Sequence, residues 1–86
     1  MITGVNTPIS FEGQEYHVQI EDLPEGAELE VRVYLGGRLV FQKRHSYRSA
    51  VEGLANPKHI EAAAIEELGK LLATVRAAIV KGRIKG

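Results

Sequence analysis

Between Glu15 and Glu21 the chain alternates: Tyr16, Val18 and Ile20 are apolar or aromatic, and His17, Gln19 and Glu21 are polar. A period of two marks a strand with one buried and one wet face. The same pattern runs without a break through Glu28-Leu29-Glu30-Val31-Arg32-Val33-Tyr34-Leu35, the clearest strand in the chain. A short strand, Ile9-Ser10-Phe11, is expected before these two, opened by Pro8 and closed by the turn Glu12-Gly13-Gln14. Pro8 lacks an N–H and suits a sheet edge. Leu23-Pro24-Glu25-Gly26 reads as a turn from its Pro and Gly, and Gly36-Gly37 as a hairpin. Leu39 to Arg44 returns as a fourth strand.

Loop length at Gly36-Gly37 decides the last register. A two-residue loop pairs Tyr34 with Leu39 and sets Phe41 opposite Arg32. A three-residue loop with a bulge pairs Leu35 with Leu39 and Val33 with Phe41. The second gathers the aliphatic residues on one face and is the expected arrangement.

From Asn56 the period changes. Ile60, Ala64, Leu68, Leu71, Leu72, Val75 and Ile79 recur at spacings of three and four, one stripe of a helix. Asn56 is a suitable N-cap, Pro57 a suitable first helical residue, and Gly82 a suitable stop after about Lys81. Gly69 weakens this helix or allows close approach to the sheet. Between the two regimes, Ser49 and Glu52 have capping-box spacing, but Gly53 limits any helix there to about one turn.

The expected fold is α+β: a four-stranded antiparallel meander followed by one long C-terminal helix packed on one sheet face. The chain reads as a single domain, with sheet over 1–47, connector over 48–55, helix over 56–82 and a basic tail over 83–86. Seven-residue strands span roughly 23 Å, whereas a helix of about 25 residues spans about 37 Å. The helix must cross diagonally or overhang. An overhang exposes Val75, Ile79, Val80 and Ile84 and predicts a homodimer through the helix end, the second sheet face, or both.

Composition supports a folded domain: 44% hydrophobic and 26% charged residues in 86, with no cysteine. Such a chain buries only roughly 60–65% of its unfolded surface, and oligomerisation is a common supplement to so small a core. No disulfide or thiolate metal site can form. No apolar run reaches the ~18 residues of a membrane span, and Met1 to Asn6 does not read as a signal peptide. A cytoplasmic location is expected.

Net charge is zero but unevenly placed. Residues 1–43 hold three Lys/Arg against seven Asp/Glu, and residues 44–86 hold eight against four. Arg76, Lys81, Arg83 and Lys85 end the chain without an acid. Basic residues there complement the helix dipole, or meet phosphates or an acidic partner.

No enzyme signature emerges. His17, His45 and His59 lack metal-ligand spacing, and a site joining His17, His45 and Glu21 is disfavoured because strands two and four are not neighbours in a meander. No serine or threonine lies in an activated turn. Glu61, Glu66 and Glu67 fall on the outer helix face, and Gly36-Gly37 lacks the residues of a phosphate loop. No catalytic residue, metal site or cofactor is assigned.

Asn6-Thr7, Gly13, Tyr16-His17-Val18-Gln19 with Glu21-Asp22, Gly36-Gly37 and Lys43 to Tyr47 together resemble a family of small bacterial proteins of uncharacterised activity. The YHVQxED-like strand is the most recognisable part. The resemblance extends over most of the chain, to a helix ending in a basic segment such as Lys81-Gly82-Arg83, and departs at Leu23-Pro24-Glu25-Gly26. It implies a bacterial, cytoplasmic origin and no mechanism.

The functional expectation is a non-enzymatic, homodimeric interaction or regulatory module. Its contact residues are His17, Gln19, Glu21, Arg32 and Tyr34 on the sheet, and Val75, Ile79, Arg76, Lys81 and Arg83 on the helix. The alternative is a single-stranded nucleic-acid binder using Arg32, Tyr34, His17 and Arg44 for stacking and charge, with the basic C-terminal segment. The acidic balance of the sheet half opposes it. A small enzyme or ligand site around His17 comes third.

Overall fold

A computed structural model describes residues 4–84. Four strands, β1 (Gly4–Phe11), β2 (Gln14–Leu23), β3 (Glu28–Leu35) and β4 (Arg38–Ser46), form one antiparallel sheet in the order β1-β2-β3-β4. A single-turn helix, α1 (Arg48–Val51), leads to the long helix α2 (Pro57–Val80). The meander and the helix are those that the periodicity predicts.

The first strand starts earlier than expected. It runs back through Pro8 to Gly4 and pairs along its length with β2, with Pro8 opposite His17. As an edge strand it has one free side, so the missing proline N–H is tolerated. The β1–β2 turn sets Glu12 and Gly13 at φ 50° and 78°. The Leu23-Pro24-Glu25-Gly26 segment forms a 3-10 turn (Pro24–Gly26), closed by Ala27 in the left-handed region, whose N–H reaches the Pro24 carbonyl.

The β3–β4 register combines the two arrangements weighed above. Gly36 and Gly37 both have positive φ, which makes a tight two-residue turn. Leu35 therefore pairs with Arg38, and Tyr34 with Leu39. A bulge then absorbs one residue, and Val33 pairs with Phe41. The expected Leu35–Leu39 pair does not form, because the irregularity lies inside the ladder rather than in the loop.

Ile9, Tyr16, Val18, Ile20, Leu29, Val31 and Val33 share one sheet face and are buried. Ala64, Leu68, Leu71, Val75 and Ile79 of α2 close over them. A fully buried Val, Leu or Ile contributes about 1.5–3 kcal/mol relative to an exposed one, so these residues hold the two layers together. The Asn56 side chain accepts the Lys58 N–H at 2.9 Å, and Pro57 opens the helix.

The helix does not overhang. Val75, Ile79 and Ile84 are 3%, 0% and 4% exposed, and of the four residues expected at an exposed end only Val80 is open. Gly82 takes φ 74°, and the Arg83 N–H returns to the Ala78 carbonyl at 2.8 Å. This left-handed stop folds Ile84 back onto the core. Gly69 is exposed, with open space where a Cβ would project, so it does not serve close approach to the sheet. α1 is one turn as expected, but Tyr47 occupies its N-cap without a side-chain hydrogen bond, and the Ser49–Glu52 box is not used.

Candidate interaction surface on the open sheet face

Strand alternation sends every second residue away from α2. Across the four strands the registry aligns Asn6, Gln19, Arg32 and Gln42 in one row and Gly4, Glu21, Glu30 and Arg44 in the next. His17 and Tyr34 pair in a third row. No second helix covers this face among the described residues. Even so, Gln19, Arg32 and Tyr34 are half-buried, and Glu30 is only 6% exposed.

Glu30 organises the surface. Its Oε1 lies 2.7 Å from Arg32 Nη2, and its Oε2 accepts from Arg44 Nε at 3.2 Å and Gln42 Nε2 at 3.3 Å. The hydrogen bond from Arg44 is the main cause holding the Glu30 carboxyl below the ordinary range. Burial opposes it, while Gln42 and the two arginine charges reinforce it. Arg44 also reaches Glu28 at 3.8 Å. A carboxylate so held fixes two guanidinium groups and one amide in place. Beside this cluster a concavity of about 390 Å³ is lined by Asn6, Gln19, Glu21, Glu30 and Arg32, with Gly4, Val5 and Ile20 completing it.

The five sheet residues expected at a contact surface, His17, Gln19, Glu21, Arg32 and Tyr34, therefore share one face. The helix residues expected with them do not join it. Val75 and Ile79 are in the core, and Arg76, Lys81 and Arg83 are exposed in the layer covering the opposite face. Lys85 lies outside the described residues. His17 lies 3.7 Å from Glu15. His45 points to the covered face, opposite Leu29, and pairs with Glu67 at 3.5 Å. Among the described residues no group of three metal-ligating side chains converges.

Two relationships had no signal in spacing alone. Glu67, expected on the outer face of the helix, is largely covered and ties α2 to β4 through His45. Lys70, 3.2 Å away, is the main cause lowering the Glu67 carboxyl. Burial opposes that shift and His45 adds to it. The Glu30 cluster needs the β3–β4 register, which places Arg44 opposite Glu30. Given that register, charge complementarity across the pair is the sequence signal for it.

Among the described residues no helix is long and apolar enough to cross a membrane. Comparison of the chain with protein-family models, with curated proteins and with solved structures finds no match.

Proposed function

We propose that the protein is a cytoplasmic, non-enzymatic, homo-oligomeric interaction module that meets a protein partner through the open face of its sheet. The observation carrying this reading is the Glu30 cluster: a buried carboxylate that holds Arg32, Arg44 and Gln42 on a face that no other described element covers. Polar groups fixed before binding lose little freedom on association. They also give specificity through electrostatic complementarity.

The chemistry of the face indicates the partner. Glu28 and Glu30 together are balanced by Arg32 and Arg44, whereas Glu15 and Glu21 are exposed on the same face. The surface thus combines a neutralised centre with an acidic rim, which suits a polar segment bearing basic side chains. The small core and the uncovered face favour self-association as well.

Single-stranded nucleic acid is less well supported. Tyr34, Arg32 and His17 offer stacking and charge, but both arginines are already engaged by Glu30, and a phosphate track needs net positive charge. Size-exclusion chromatography with light scattering and a 260/280 absorbance ratio separates these readings. A dimer free of nucleic acid supports the module. A monomer at all concentrations contradicts the oligomeric part, and retained nucleic acid contradicts the choice of partner.

A further inference from the structure

One flank of α2 carries two large apolar residues that the core does not use. Ile65 and Val80 are 47% and 51% exposed, and on the helical wheel they share that flank with Gly69, Arg76 and Leu72, which is half-buried against the core. They lie about four turns apart, symmetric about the point between Leu72 and Ala73. We propose that this flank is the self-association surface: α2 packs antiparallel against α2 of a second copy, about a two-fold axis between Leu72 and Ala73. The inference rests on the homo-oligomeric reading above and names the surface for it.

Three features select this occupant and direction. A two-fold antiparallel pairing brings Ile65 of each copy against Val80 of the other, covering the two large apolar residues exposed on the helix. It sets Arg76 over Gly69 of the second copy, where no side chain obstructs it and where a Cβ would meet open space. It also sets Glu66, which pairs with Lys70 of its own helix at 3.5 Å, within reach of the exposed Arg76 of the other copy. A parallel pairing would bring like charges together. A partner of uniform charge would match only one half of the helix. A single helix pair falls below about 1,200 Å² of buried surface, the size class of weak and transient association.

The absence of cysteine makes a clean test available. Ile65→Cys and Val80→Cys chains are prepared separately, checked for native circular dichroism, and oxidised alone and mixed. Light scattering of the unaltered chain is recorded over the same concentrations. Expected is a covalent dimer from the mixture and little from either variant alone, together with a rise in mass above 9.4 kDa towards twice that value. Cross-linking of Ile65→Cys to itself, as efficient as in the mixture, overturns the antiparallel arrangement. A dimer by light scattering with no cross-link in the mixture overturns the surface but leaves the homo-oligomeric reading standing. A monomer throughout overturns both.

Discussion

The hydroxyl of Tyr47 donates a 2.7 Å hydrogen bond to Oδ1 of Asp22, across 25 residues of chain. Tyr47 is buried, and its backbone N–H also reaches the Ala27 carbonyl at 2.8 Å. One residue thus fastens the exit of β4 to the end of β2 and to the turn that follows it. Burial first, then the hydrogen bond and charge of Asp22, push the Tyr47 hydroxyl up to about 12.

Tyr47→Phe removes that hydrogen bond and is expected to cost about 1 kcal/mol in urea unfolding near neutral pH. The folded value lies above the ordinary value of 10.0, so the stabilisation is complete below about pH 10 and is lost as pH rises towards 12. Wild-type stability should therefore fall more steeply than that of the variant over that interval. Parallel alkaline limbs would contradict the assignment.

Glu30→Gln should destabilise the fold at neutral pH by leaving Arg32 and Arg44 without their shared counter-charge. The folded carboxyl titrates below its ordinary value of 4.5. Its contribution is thus present above that pH and is lost as pH falls through the folded value. Acid unfolding followed by circular dichroism should show a shallower limb below about pH 4.5 in the variant than in wild type. An unchanged acid limb would mean that the cluster does not hold an ionised carboxylate.

Gly69→Ala should stabilise the protein by about 1 kcal/mol, because the position is exposed, helical and open to a Cβ. Thermal unfolding at low concentration, where association does not contribute, should show a higher Tm. A fall in Tm would indicate a constraint at this position beyond helix propensity.

Glu12 holds φ 50° in the β1–β2 turn without being glycine or asparagine. Replacing it with Asn completes the Asn-Gly pair that such turns favour and relieves part of a left-handed backbone cost of roughly 1–2 kcal/mol. Glu12→Asn should accordingly raise the urea midpoint without changing the slope of the transition.

Most of the fold was legible in two periods, and the reasons for the misses are local. Tyr16, Val18 and Ile20 and then Leu29, Val31 and Val33 mark the covered face by alternation alone, and that alternation also placed His17, Gln19, Glu21, Arg32 and Tyr34 together on the other. Composition does not distinguish an irregularity in the turn from one in the ladder, and the bulge lies between Val33 and Tyr34 rather than at the loop. Lengths alone leave the helix either to cross diagonally or to overhang, and an overhang would carry Val75 and Ile79 past the sheet. Both residues are in the core, and the Gly82 turn brings Ile84 back to it. Pairs such as Tyr47 with Asp22 and His45 with Glu67 are long-range, and no local spacing records them.

Site-specific photo-cross-linking in cells asks whether the open sheet face receives a protein partner. A benzophenone side chain replaces Gln19 on that face or, as a control, exposed Thr74 on the helix. A defined protein adduct is expected from position 19 that Glu21→Lys and Arg32→Glu together abolish, and no such adduct from position 74. No adduct at position 19, or one sensitive to nuclease rather than protease, would contradict it.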